Sequence, residues 1–305
     1  MDYKEFESIP GYENWKDVKV VNKGWSGDRK YTITTKDNQK LLLRISNISL
    51  FESRKKQFEL LQEVEKLNIN ASRPISFGKL NDNEIYMVLS WLEGEDAEVA
   101  VAKLSNEEAY KLGVEAGEIL KKLHALPVDK SKEFSWKDKF KNKMQRKYKA
   151  LEEATIEVPK KDIIVDYMNK NMYLTESREQ TFTHGDYHLG NLIVNNGRIG
   201  VIDFDKNKIA DPYDDFKSFM WNVFVSEYFA TGMINGYFDN NIPSDFFPLL
   251  AVYAAEQLIS YLPWAATLKE KDLEKGYAVH NSILGWYGDM TLVVPKWYKG
   301  IVDFN

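Results

Sequence analysis

Hydrophobic and polar positions divide the chain into three textures. Residues 18–21, 31–35 and 41–45 are short runs rich in branched and aromatic side chains, parted by Gly24-Trp25-Ser26-Gly27-Asp28 and Asp37-Asn38, and they predict a small antiparallel sheet. Residues 49–67 carry Phe51, Phe58, Leu61, Val64 and Leu67 at helical spacing, and strand-like runs follow at 74–77 and 85–89. After Ser90-Trp91-Leu92-Glu93-Gly94 the pattern turns helical. Ser105-Asn106-Glu107-Glu108 reads as a capping box, and Ala109, Leu112, Ala116, Ile119, Leu120 and Leu123 mark one apolar face. Residues 130–149 are lysine-rich with Phe134, Trp136, Phe140 and Tyr148 interleaved, which predicts a helix with a solvated basic face. From 215 onward the chain predicts aromatic-rich helices, one introduced by Pro243-Ser244-Asp245. The apolar window 246–268 holds Glu256, Gln257, Ser260, Pro248 and Pro263, whereas a membrane span needs about 20 mostly apolar residues, so it reads as a buried helix.

A length of 305 residues with 44% hydrophobic and 29% charged positions fits a globular chain of about two domains. The absence of cysteine excludes disulfides, thiolate zinc, iron–sulfur clusters and a cysteine nucleophile, so any metal is held by oxygen or histidine. Forty-one basic against 46 acidic residues give a net charge of −5, which disfavours nucleic acid and mildly favours a cationic partner.

The densest chemistry lies in 181–215. Asn196-Gly197 between Leu192-Ile193-Val194 and Ile199-Gly200-Val201-Ile202 predicts a hairpin with a type I′ turn. Its two-residue loop sets Asn191 opposite Ile202 and within one position of Asp203. Paired strands lie about 5 Å apart, so an Asn carboxamide and an Asp carboxylate at adjacent strand ends can share a cation. Oxygen ligands suit Mg²⁺, which leaves its other positions to water and phosphate. Strict alternation would send Ile202 and Asp203 to opposite faces, so an irregularity is expected at the strand end. Asp186, five residues before Asn191 in a Gly-flanked loop, is the expected general base. A competing reading makes His184 and His188 zinc ligands with Asp203, but Gly185 and Gly190 break the helix that such spacing uses.

The series His184-Gly185-Asp186-Tyr187-His188-Leu189-Gly190-Asn191, Ile202-Asp203-Phe204-Asp205 and Asp211-Pro212-Tyr213-Asp214-Asp215 resembles the aminoglycoside phosphotransferase family. The resemblance implies an α+β, protein-kinase-like fold: a nucleotide-covering β lobe with one helix over 1–89, a hinge at 90–94, and a mainly helical lobe over 95–305. It implies a Mg²⁺-dependent kinase that uses ATP or GTP, with Asp186 as base and Asn191 and Asp203 as Mg²⁺ ligands. Asp215 would support the catalytic loop through His184, with His188 beside it. Ser26 and Gly27 would lie in the phosphate-covering loop. Arg44 would stand in place of the strand lysine, paired with Glu59 or, one turn on, Glu63. Leu89, Ser90, Trp91 and Leu92 would line the purine site.

The implied acceptor is an aminoglycoside-type antibiotic, with Asp205 and Glu256 as candidates for its ammonium groups and antibiotic resistance as the role. Other expectations are a kinase of a macrolide or another hydroxylated metabolite, and a nucleotide-binding protein without transferase activity. The nucleotide requirement and the opening Met-Asp-Tyr-Lys-Glu-Phe-Glu, with neither basic leader nor apolar core, imply a cytoplasmic protein without membrane partners.

Overall fold

The computed structural model describes residues 3–21, 27–129 and 134–304. The chain forms two compact units: Met1–Glu95 with Ile193–Asn196 and Gly200–Asp205, and Asp96–Leu192 with Gly197–Ile199 and Lys206–Asn305.

In the first unit the alternating runs become β1 (Trp15–Val20), β2 (Arg29–Thr35), β3 (Lys40–Asn47), β4 (Pro74–Lys79) and β5 (Glu84–Ser90), an antiparallel sheet of order β1-β2-β3-β5-β4. Tyr31 pairs with Leu43, and Leu43 with Val88, so one face gathers these with Phe6, Ile9, Ile33, Ile45 and Tyr86 into a core. The period of two then sends Arg44 to the other face. Helix α1 (Phe51–Glu65) follows a 3₁₀ turn that Asn47 caps by accepting from Ser49 N–H at 2.9 Å. Phe51 and Phe58 meet the Phe77 ring of β4 at 5.2 and 5.8 Å.

The second unit is mainly helical: α2 (Ala97–Val101), α3 (Asn106–His124), α4 (Trp136–Glu153), α5 (Lys161–Asn171), α6 (Phe219–Val223), α7 (Glu227–Tyr237), α8 (Phe246–Ala265) and α9 (Glu270–Trp286). The capping box forms at Ser105 and Glu108. Backbones of α3 and α7 touch, since a Cβ at Gly113 would lie 2.2 Å from the Phe229 carbonyl oxygen. Helix α8 is buried along most of its length, with α4, α5 and α9 packed on it. Among the described residues no helix is long and apolar enough to cross a membrane.

One expectation is corrected here. The basic face of α4 is not simply solvated, because Lys143 and Lys147 turn toward the buried Glu256 of α8. They stand next to the apolar stripe of Trp136, Phe140 and Met144, which carries them under.

Five further short strands frame the motif region. β7 (Thr181–Thr183) pairs with β10 (Lys208–Ala210), and β6 (Glu95–Asp96), β8 (Leu192–Asn195) and β9 (Arg198–Val201) form a three-stranded sheet. Asn196 and Gly197 take φ of 50° and 70°, the positive values that a type I′ turn requires.

Candidate active site

Strand β7 delivers the chain into the His184-Gly185-Asp186 loop, and paired buried groups hold that loop. Gly185 has φ +84°, and a Cβ there would lie 2.0 Å from the Lys206 carbonyl oxygen, so only glycine fits. The fully buried Asp215 accepts from His184 N–H at 2.7 Å and Gly185 N–H at 2.6 Å, and lies 3.0 Å from His124 Nε2. Burial alone would raise its carboxyl; contact with His124 outweighs this and holds it below the ordinary value. The support runs through the His184 main chain, whereas the resemblance implied that residue generally. Tyr187 Oη donates to the Ala116 carbonyl at 2.8 Å, and Asn222 Oδ1 accepts from Leu189 N–H at 2.9 Å.

Asp186 stands at the tip with its side chain 24% exposed. Its Oδ2 accepts from Lys206 Nζ at 2.9 Å and Asn191 Nδ2 at 3.1 Å, while Oδ1 lies 3.6 Å from His188 Nε2. Asn191 Nδ2 also donates to the Asp186 carbonyl at 2.8 Å. The burial of Asp186 would raise its carboxyl, but His188 and Lys206 together hold it well below the usual aspartate value. It is therefore ionised at neutral pH. His188 Nδ1 accepts from Gly190 N–H at 3.1 Å, which fixes the ring.

In the first unit, β9 ends at Val201 and Asp203 adopts φ 62°, a left-handed conformation that aspartate tolerates better than most side chains and that breaks the strand alternation. Two residues on, Asp205 accepts from Arg44 at 2.7 and 2.5 Å and from Gln57 Nε2 at 2.5 Å, and pairs with Arg54 at 3.2 Å. Asp28 closes the set, accepting from Arg44 Nε at 3.0 Å, Arg54 Nη2 at 2.8 Å and Ser46 Oγ at 2.8 Å. Burial works against the Arg44 charge, and Asp205 and Asp28 outweigh it.

This corrects the expected ion pair. Arg44 does not pair with Glu59, which faces outward 4.0 Å from Lys55, nor with Glu63, which pairs with Lys66. The helix residues reaching the cluster are Arg54 and Gln57, three apart and therefore on one face. Asp205 is corrected too, because its oxygens are engaged by the chain's own cations. The same holds for Glu256, which is 2% exposed and bound by Lys143 at 2.9 Å and Lys147 at 2.6 Å.

At the end of β5, Leu89 is 5% exposed, and Ser90–Glu93 line an open cleft with residues 68–73. Ser90 N–H donates to the Arg73 carbonyl at 2.8 Å and Trp91 N–H to that of Lys40 at 3.1 Å. Both N–H groups are therefore taken up within the chain. Gly27 lies in the bend before β2, and Ser26, with Gly24 and Trp25, is outside the described residues.

Sequence reasoning missed His124, Lys206 and Arg54, and it read Asp28 only as part of the segment 24–28. Lys206 had a signal, its place beside the Asp203-Phe204-Asp205 motif; His124 and Arg54 had none beyond their helices.

The fold and loop together define a protein-kinase-like phosphotransferase. The solved ADP-bound aminoglycoside phosphotransferase APH(2'')-Ib superposes with a TM-score of 0.64 at 18% identity, covering 93% of this chain and 99% of that one. The GDP complex of aminoglycoside 2'-phosphotransferase-IIIa gives 0.70 at 16% identity, covering 92% and 96%. The amicoumacin kinase hAmiN in complex with AMP-PNP, Ca²⁺ and Ami gives 0.62 at 15%, covering 90% of each chain. The model of the APH phosphotransferase enzyme family matches residues 17–244, and the chain belongs to that family. No curated protein matches it in sequence.

Proposed function

We propose that this protein is a Mg²⁺-dependent small-molecule kinase that moves the γ-phosphoryl group of ATP or GTP to an acceptor hydroxyl. The observation that supports it most is the setting of Asp186: Oδ2 accepts from Asn191 and Lys206, Oδ1 lies 3.6 Å from His188 Nε2, and His188 and Lys206 keep the carboxylate ionised. The hydroxyl proton passes to Asp186 as the acceptor oxygen forms its bond to the γ-phosphorus, and the bond from that phosphorus to the bridging oxygen breaks, releasing the nucleoside diphosphate. Alignment and charge neutralisation supply most of the rate.

The donor atoms suit a hard divalent ion. Asn191 turns its N–H groups into Asp186, so it can offer Oδ1, and Asp203 supplies a carboxylate. Among the described residues no group of three or more His, Asp or Glu is placed to hold a metal, which fits an ion that draws its other ligands from phosphate and water. When bound, Mg²⁺ would neutralise charge on the phosphates. Arg44 is assigned to holding Asp205, and through it the segment bearing Asp203. The purine is assigned to Leu89 and the backbone from Leu92, with Gly27 near the phosphates.

An aminoglycoside-type acceptor is the first reading for substrate, supported by family membership. It needs acids free to hold ammonium groups, and Asp205 and Glu256 are both engaged. That observation favours the second reading, a different hydroxylated small molecule. The test is nucleotide consumption with and without Mg²⁺ over a panel of aminoglycosides, macrolides, sugars, amino alcohols and hydroxy acids. Acceptor-dependent, EDTA-sensitive consumption is expected. Nucleotide binding with no consumption for any acceptor would leave only a nucleotide-binding protein.

A further inference from the structure

We propose that the acceptor carries an oxyanion, a carboxylate or a phosphate ester, bound by lysines of α4 together with Lys208 and Lys217. This rests on the phosphotransferase reading and names its substrate class. Lys139, Lys143 and Lys147 recur every fourth residue along one face of α4. Lys143 Nζ lies 2.9 Å from Glu256 and 3.6 Å from Asp214, and Lys147 Nζ lies 2.6 Å from Glu256 and 2.9 Å from Ser260 Oγ. Lys208 and Lys217 meet Asp214 Oδ2 at 2.6 and 2.8 Å. Four ammonium groups thus share two carboxylates, both nearly sealed from solvent. Asp215, whose field also reaches Lys217, is already engaged by the catalytic loop and His124.

A structural ion pair needs one cation for each buried acid. Further like charge under partial burial costs free energy unless an anion joins it. Lys139, one turn before Lys143, is exposed and sets its Nζ 3.9 Å above the Phe134 ring, at the solvent end of the lysine row. Burial pushes Lys147 and Lys208 below the ordinary lysine value, although Glu256 and Asp214 pull the other way. A solute can still reach the four lysines, whose side chains are 16% to 33% exposed.

The cluster is tied to the catalytic loop within one unit. Lys208 pairs with Thr183, three residues before Asp186, and Asp214 precedes the aspartate that holds the His184 and Gly185 N–H groups. A hydroxy acid or sugar phosphate would therefore present its alcohol to Asp186 with its anion among the lysines. A polycation would meet repulsion there.

The test uses four compounds on one carbon skeleton: glycerate, glycerol 3-phosphate, glycerol and 3-amino-1,2-propanediol. Each is titrated calorimetrically into the full chain saturated with AMP-PNP and Mg²⁺, and each is assayed for nucleotide consumption with ATP. At least one anion should bind about tenfold more tightly than glycerol, with the amine weakest; Lys139→Gln and Lys147→Gln should each remove about tenfold of the advantage. Thermal denaturation verifies that the variants fold, and Lys139→Gln leaves the Glu256 pairs in place. Anions that bind no better than glycerol, or binding unchanged in both variants, would overturn the subsite. Consumption without anion preference would overturn it and spare the kinase reading, whereas lysine-dependent anion binding without consumption would uphold it and count against that reading.

Discussion

The two units each hold a cluster of buried charge, and the clusters differ in balance. In the first, Arg44 and Arg54 face Asp28 and Asp205, with Ser46 and Gln57 completing the hydrogen bonds. In the second, Lys143, Lys147, Lys208 and Lys217 share Asp214 and Glu256. A guanidinium is planar and can fork to two carboxylates at once, as Arg44 does; an ammonium is a point charge on a flexible stem. The balanced set is closed and fixes a sheet face, a helix and the segment after Asp203. The cation-rich set has capacity left over, the property expected of a binding surface.

The difference can be broken at several places. Arg44→Met should have the largest effect on stability, about 3–5 kcal/mol in a denaturant titration, since it leaves the enclosed Asp28 carboxylate and the half-buried Asp205 with one cation. Glu256→Gln should cost less, about 1–3 kcal/mol, because the lysines it releases can reach water. Lys147→Gln should change stability by no more than about 1 kcal/mol, since it removes one cation from an excess; a loss as large as that of Arg44→Met would make the lysine cluster structural.

A pH titration sharpens the contrast further. Against the pull of burial, cations and His124 hold Asp214, Asp215 and Glu256 below their ordinary values of 3.8, 3.8 and 4.5. Their stabilisation is complete above those values and is lost as pH falls through the lower folded ones. Lys147 and Lys208 sit below 10.5 in the folded chain, so the unfolded chain binds more protons there and their contribution rises as pH climbs toward 10.5. Arg44, held above the ordinary arginine value by Asp205 and Asp28, keeps its charge throughout. A bound oxyanion should flatten the alkaline rise by keeping the lysines protonated.

What could be read from the sequence was local. Strand alternation, the Asn196-Gly197 turn and the capping box are set by neighbouring residues, and all appear in the fold. The motif series was legible because its spacing is short, and it identified the family. The rotational phase of α1 against the sheet was not legible, which is why Glu59 was expected where Arg54 and Gln57 stand. Pairings such as Lys143 with Glu256 or His124 with Asp215 join residues about a hundred positions apart, and no local pattern announces them. The lysine-rich stretch therefore read as a solvated face until α8 supplied the acid beneath it.

The most direct measurement is steady-state turnover of Asp186→Asn beside its nucleotide affinity, once an acceptor is in hand. In Asp186→Asn, kcat should fall by about 10²- to 10⁴-fold with nucleotide binding within about twofold of wild type. Near-normal kcat in that variant would contradict the role of Asp186 as the base.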